Sequence, residues 1–311
     1  MRAVFWKEVA DYFGSWRFVI LFGIILLAAF YATYTAAQTI VSNVQETPTE
    51  FVFLRLFTTS GGGLPSFIWF LSFFGPLIGI IFGFDAINNE RSQGTLSRIV
   101  SQPLFRDAII NGKFLAGLAA IGIMLASILL IISGFGLRMI GVAPGGEEIA
   151  RLLIFFVVSL IYVGFWLGLG ILFSVLFSRT TTSAFAAIAI WIIFALFISM
   201  IAGVIADRVA PVTDQTDTQQ VLENREIRDN VMRISPTTLF EEATGTILNP
   251  STRTLRSLVT RGEVAGMVPG PLALGQSLRL VWPHLTALIA LIVICFSISY
   301  VNFMRQEIRA G

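Results

Sequence analysis

Six runs of this chain, residues 18–37, 64–84, 114–137, 152–178, 180–206 and 285–304, contain no charged side chain. No other feature narrows the fold as far. At about 1.5 Å of rise per residue, a helix needs about 20 apolar residues to cross a hydrocarbon core of roughly 30 Å. Backbone N–H and C=O groups inside lipid must bond within their own segment, so such runs are predicted to be helices. The polar/apolar alternation of a barrel strand is absent. Runs four and five are separated by little more than Arg179 and form a tight helical hairpin. Composition agrees: 55% of residues are hydrophobic and 13% charged, against roughly 25% charged in soluble domains. A soluble enzyme is excluded, and 28 Phe exclude a disordered chain.

Arginine and lysine set the expected orientation, because short loops rich in them stay in the cytoplasm. The N-terminus (Arg2, Lys7, Arg17), the 85–113 connection (Arg91, Arg98, Arg106, Lys113), Arg179 and the tail (Arg305, Arg309) hold ten; the alternate side has Arg55, Arg138 and Arg151 in its short loops. Both termini are therefore expected in the cytoplasm, with the chain in the plasma (inner) membrane. The first run is too long for the h-region of a cleaved signal peptide.

Three segments lie outside the lipid. In residues 1–17, Phe5, Val9, Tyr12 and Trp16 share one helical face and Lys7, Glu8 and Asp11 the other, which predicts an amphipathic helix in the cytoplasmic headgroup layer. In the 85–113 connection, Ile87, Leu96, Ile99 and Val100, then Leu104, Phe105, Ile109 and Ile110, interleave with charges at helical spacing. Two short cytosolic helices separated by Pro103 follow. Their half-apolar faces need a membrane surface or a protein partner. The 207–279 segment, with nine acidic and eight basic residues, is expected outside the cell. It contains a charged helix over 221–234 and a second one opening at Ser235-Pro236. With few large apolar side chains it is a lid, not an independent domain, so residues 1–311 form a single membrane domain.

A search for chemistry returns little. A phosphate-binding loop needs Gly-Lys followed by Ser or Thr; of the two lysines, Lys7 precedes Glu8 and Lys113 precedes Phe114. The chain has no nucleotide site, so no ATP hydrolysis is expected from it alone. A net charge of +2 gives no field for nucleic acid. One His and one Cys make neither a metal cluster nor a disulfide framework. No catalytic, cofactor-binding or metal-binding residue is expected. The spans also lack the interior acids or lysines of an ion-coupled transporter. They do carry small residues at contact spacing: Gly75, Gly79 and Gly83 on the second run, Gly164 and Gly168 on the fourth. Such stripes let helix backbones approach closely, within one subunit or between two.

Asp85, Glu90-Arg91, Gly94-Thr95-Leu96, Pro103, Arg106 and Gly112-Lys113, placed between a second and a third span, resemble the signature of ABC-2 type permeases. So do the amphipathic N-terminal helix, the six spans and the tight hairpin. Ser235-Pro236, Leu239-Phe240 and Leu248-Asn249-Pro250 are similar to the outer segment of multidrug- and NosY-like members, although this outer segment is longer than in minimal six-span members. The resemblance implies an all-α membrane subunit of an ATP-driven exporter. It implies two copies working with a separate ABC ATPase, which binds ATP and magnesium. On that reading Glu90, Arg91, Gly94, Thr95 and Leu96 make the coupling contact: Glu90 and Arg91 pair with charges on the ATPase, Gly94 allows a turn or close approach, and Leu96 enters a groove. The uncharged spans favour an apolar or amphipathic cargo. A non-transporting membrane scaffold and a secondary transporter are the competing readings.

Overall fold

The computed structural model describes residues 2–42, 51–61, 63, 65–94, 105–212, 218–250 and 271–306. Among them there is no strand, and six helices are long and apolar enough to cross a membrane: Trp16–Ser42, Phe67–Ser92, Arg106–Ile140, Gly146–Leu176, Thr180–Val209 and Leu274–Arg305. Each contains or overlaps one of the six uncharged runs. A helix α1 (Arg2–Phe13) precedes the first span, α2 (Trp16–Ser42). A short α3 (Val52–Thr58) leads to α4 (Phe67–Gly83), and α5 (Asn88–Ser92) follows through a turn. Next come α6 (Arg106–Ile140) and α7 (Gly146–Leu176). The fifth span runs as α8 (Thr180–Ile192), a π-helical turn (Ile193–Phe197) and α9 (Ile198–Val209). Then α10 (Thr218–Met232), α11 (Pro236–Leu248) and α12 (Leu274–Arg305) complete the described chain.

Helix α7 is the axis of the bundle. It packs against α4, α6, α8, α11 and α12, and Tyr162, Val163, Trp166, Leu167 and Ile171 on it are fully buried. Lipid gives apolar side chains no incentive to leave it, so close van der Waals fit is what joins such helices. The Gly75, Gly79, Gly83 stripe of α4 supplies that fit. A Cβ at Gly79 would stand 2.6 Å from the Trp166 Cβ and the Val163 carbonyl, and one at Gly83 2.6 Å from the Leu167 carbonyl. The stripe is spent inside one chain, and its facing glycine is Gly170, whose Cα lies 3.0 Å from that same construction at Gly83. Gly164 and Gly168 look the other way. Gly164 meets Leu118 of α6, and Gly168 lies in ordinary contact with Phe114 and Cys295.

Two expectations change. Residues 106–113 are not a separate short helix but the first two turns of α6, continuous with the third span. Pro103, with the rest of 95–104, lies outside the described residues. The segment after the fifth span is more than a surface lid. Its α11 inserts among α4, α7 and α12, burying Leu239, Phe240, Ala243, Ile247 and Leu248. The Phe240 ring stacks on Tyr162 at 4.3 Å between centroids and 12° between planes. Pro236 at the helix start marks the boundary as expected, because its fixed φ suits a first turn that needs no N–H. The apolar Gly- and Pro-containing stretch from 257 lies outside the described residues up to 270; from Leu274 it is already the sixth span.

Candidate functional site

At the end of the bundle where α1, α4, α5 and α6 meet, a cavity of about 630 Å³ is lined by seven charged side chains together with Tyr12, Phe18 and Phe82. Its floor is an ionic cluster. The Lys113 ammonium, 4% exposed, donates to Glu8 Oε1 at 2.9 Å and to Glu90 Oε1 at 2.8 Å. One cation thus joins α1, α5 and the first turns of α6. Lys7 reaches the same Glu8 at 3.2 Å and Asp11 at 3.4 Å. Burial pulls the Lys7 ammonium down, but Glu8, Glu90 and Asp11 together outweigh it and raise its pKa, so Lys7 remains a cation.

The local sequence explains the placement. On α1, Val4 and Glu8 are one turn apart and both buried, with Tyr12 one turn further on. Gly112 admits this face: a Cβ there would stand 2.9 Å from Val4. Glu8 therefore belongs to the packed face of α1, not to the solvated face expected from its charge. The acid is buried because Lys113 waits opposite. Trp16, 79% exposed, and Trp6 stay largely exposed, whereas the Phe13 ring packs on Phe18 at 4.7 Å between centroids. Tyr12 donates its hydroxyl to the Phe82 carbonyl at 2.9 Å. Burial, reinforced by Glu8, Asp85 and Glu90, pushes its pKa up and keeps it a neutral donor.

The turn between α4 and α5 is equally tied down. Arg17 pairs with Asp85. Ser174 of α7 accepts from the Ile87 and Asn88 amides at 2.8 and 3.1 Å, and Ser183 of α8 donates to the Phe84 carbonyl at 2.7 Å. From this anchored elbow α5 projects outward. Glu90 turns inward to Lys113, whereas Arg91, Ser92, Gln93 and Gly94 are exposed. Gly94 ends the helix at φ 68° with open space where a Cβ would lie. Its absent side chain therefore serves a left-handed turn and not a close approach. Thr95 and Leu96 lie outside the described residues.

Of the five residues expected to make a coupling contact, Glu90, Arg91 and Gly94 sit together on this elbow, with Arg91 the charge offered outward. Glu8 and Ser174 are neighbours of this elbow that sequence reasoning missed, and Lys113, named there only within the family signature, is the cation that joins Glu8 to Glu90. The available signal was Lys113 itself, one of two lysines in the chain and adjacent to an uncharged run; a cation there requires a buried counter-charge. Among the described residues, no group of three or more His, Cys, Asp or Glu side chains is placed to hold a metal. One ammonium thus ties α5 to α1 and α6, and one hydroxyl ties the turn before α5 to α7.

The chain is similar to the probable ABC transporter permease protein NosY of Stutzerimonas stutzeri, at 28% identity over 151 residues, 47% of this chain and 52% of that protein. The match thus spans about half the length of that relative. The model of the ABC-2 family transporter proteins matches residues 2–308, which include every helix described above. By that match, the chain belongs to the ABC-2 family of transporter proteins.

Proposed function

We propose that this chain is the membrane subunit of an ATP-driven exporter, and that the α5 elbow with the residues just after it receives the stroke of a separate ABC ATPase. Family membership supports the ATPase partner. The ATPase, not this chain, carries ATP and magnesium. Two copies of the chain form the transport path in the plasma membrane, with both termini and the α1 end of the bundle on the cytoplasmic side, as the ten-to-three bias of Lys and Arg supports. The cargo is apolar or amphipathic, in keeping with the six uncharged runs. The observation that carries the proposal is the Glu8–Lys113–Glu90 cluster. A push on an unclamped surface loop would be lost in that loop, whereas a push on α5 is delivered to α1 and α6 together. On this reading Glu90 transmits movement internally and Arg91 faces the ATPase, which the pairing of Glu90 with Lys113 supports.

The test is to co-express the chain with its ABC ATPase and to measure transport and ATP hydrolysis in proteoliposomes. Glu90→Lys places a second cation against Lys113 and is expected to cut transport at least about tenfold, equivalent to about 1.4 kcal/mol of lost coupling. ATP hydrolysis should become independent of cargo. The milder Glu90→Gln should lie between, and exchanging the charges in Glu90→Lys/Lys113→Glu should recover part of the loss. Wild-type transport by Glu90→Lys would overturn the assignment.

A further inference from the structure

Three of the uncharged runs stop at a charge, and those three charges line one cavity. Run 18–37 begins after Arg17, run 64–84 ends before Asp85, and run 114–137 begins after Lys113. All three residues line the cavity of about 630 Å³ described above. The cavity therefore straddles the boundary between hydrocarbon and headgroups, whichever leaflet that boundary belongs to. Its lining follows the same gradient: Phe18, Ile81 and Phe82 come from inside the runs, and the charged residues from beyond their ends. The rings form a continuous wall. Tyr12 stacks on Phe82 at 4.9 Å between centroids, and Phe18 meets the same ring edge-on at 6.2 Å. Trp6 and Trp16, both largely exposed, stand on α1 and at the start of α2, the residue type that settles at the membrane–water interface.

The seven charges divide into two sets. Glu8, Asp85, Glu90 and Lys113 are largely buried, and each is paired within the lining. Lys7, Asp11 and Arg17 are more than half exposed. Lys7 and Asp11, one turn apart on α1, meet only at 3.4 Å. Arg17 engages Asp85 through Nη1, and a guanidinium carries five N–H donors. The outer set thus offers two cations and one carboxylate above an apolar wall.

We propose that this cavity seats the headgroup of a phospholipid in which a phosphate diester is joined to a primary ammonium, as in phosphatidylethanolamine. Lys7 and Arg17 take the phosphate, Asp11 takes the ammonium, and the acyl chains leave along Phe18, Ile81 and Phe82. The lipid is a resident part of the fold and not cargo. Charge chooses the headgroup. An anionic one such as phosphatidylglycerol would meet three cations but also four carboxylates, and would set Asp11 against a like charge. A choline headgroup has both charges, but its quaternary nitrogen has no N–H to give Asp11. An ethanolamine headgroup supplies charge-assisted hydrogen bonds at both ends. The volume suits it, since small-molecule sites run from about 300 to about 1,000 Å³. Seated there, the lipid fixes α1 and the start of α2 against the end of α4. This seat depends on the depth of the cavity, and neither on the export reading nor on which side of the membrane it faces.

The test titrates the purified, delipidated chain in detergent with dioleoyl phosphatidylethanolamine, phosphatidylcholine or phosphatidylglycerol, and counts bound lipid by native mass spectrometry. One phosphatidylethanolamine per chain should bind at least about tenfold more tightly than either of the others, the difference one charge-assisted hydrogen bond supports. Asp11→Ala should bring phosphatidylethanolamine down to the level of phosphatidylcholine. That readout is a ratio of two lipids on one protein, so partial unfolding cannot imitate it. Arg17→Gln should weaken both lipids by about tenfold, and Arg17→Lys should recover part of the loss. Arg138→Gln, which removes an exposed charge at the far end of α6, should change neither. Glycerophosphoethanolamine, the same headgroup without acyl chains, should bind at least about 100-fold more weakly than the lipid, because its apolar contacts are gone. Equal affinity for the three lipids overturns the proposal, as does an undiminished preference in Asp11→Ala or an equal loss in Arg138→Gln and Arg17→Gln. Binding of glycerophosphoethanolamine as tight as that of the lipid would make the ligand a soluble phosphate ester and overturn the membrane-lipid assignment.

Discussion

Single residues carry unequal weight, and burial decides which. Lys113 pairs with two largely buried carboxylates, and removing one member of a buried ion pair costs about 3–5 kcal/mol because the remaining charge is stranded. Exposed pairs such as Lys7–Asp11 contribute little. The glycines divide the same way. Gly79→Ala drives a methyl group into the Val163 carbonyl and the Trp166 Cβ at 2.6 Å, and should destabilise the protein by about 1–3 kcal/mol through overpacking. Gly168→Ala meets Phe114 and Cys295 at ordinary distances and should be neutral to within about 0.5 kcal/mol. Thermal unfolding in detergent separates the two; equal stability of both variants would remove the special role of the α4–α7 contact. Both glycines read alike in sequence, each spaced four residues from another, because spacing does not reveal what stands opposite.

Among the elements, α11 departs furthest from a sequence reading. Its start was legible from Pro236, and its burial was not, since Thr237, Thr238, Glu241 and Glu242 give it the appearance of a solvated helix. Its polar groups are tolerated because neighbours satisfy them, and its far end is stapled by one residue. Arg151, fully buried in the second turn of α7, donates to the Ile247 carbonyl at 2.8 Å, the Leu272 carbonyl at 2.5 Å and Ser277 Oγ at 3.2 Å, and pairs with Glu147 at 2.8 Å. One guanidinium thereby holds the end of α11 against the start of α12. Arg151→Met keeps most of the volume and strands those carbonyls, each at about 1–3 kcal/mol. Amide hydrogen exchange in α11 should accelerate by about tenfold or more, with α4 and α7 unaffected at their centres. Exchange unchanged in α11 would show that apolar packing alone seats it.

At the scale of the whole molecule, α7 is enclosed while the fifth span and α12 present most of their apolar surface outward, among them Phe185, Leu196, Met200, Val293 and Ile298. Lipid, or a second copy of the chain, must cover that surface in the membrane. Under the proposed function, native mass spectrometry of the complex released from gentle detergent should show two copies of this chain with two of the ATPase. A complex with one copy of this chain would refute the paired arrangement. Six spans, their helical state and the tight hairpin at Arg179 were determined by sequence alone, because lipid leaves an uncharged run of about 20 residues a single way to satisfy its backbone. What opposes what was settled only by the tertiary structure. Glu8 with Lys113, Gly79 with Val163, and Glu242 with His284 are contacts between segments far apart in the chain, and a charge or a glycine reveals that it needs a partner without revealing which one. Local chemistry sets the need; three-dimensional proximity alone supplies the answer.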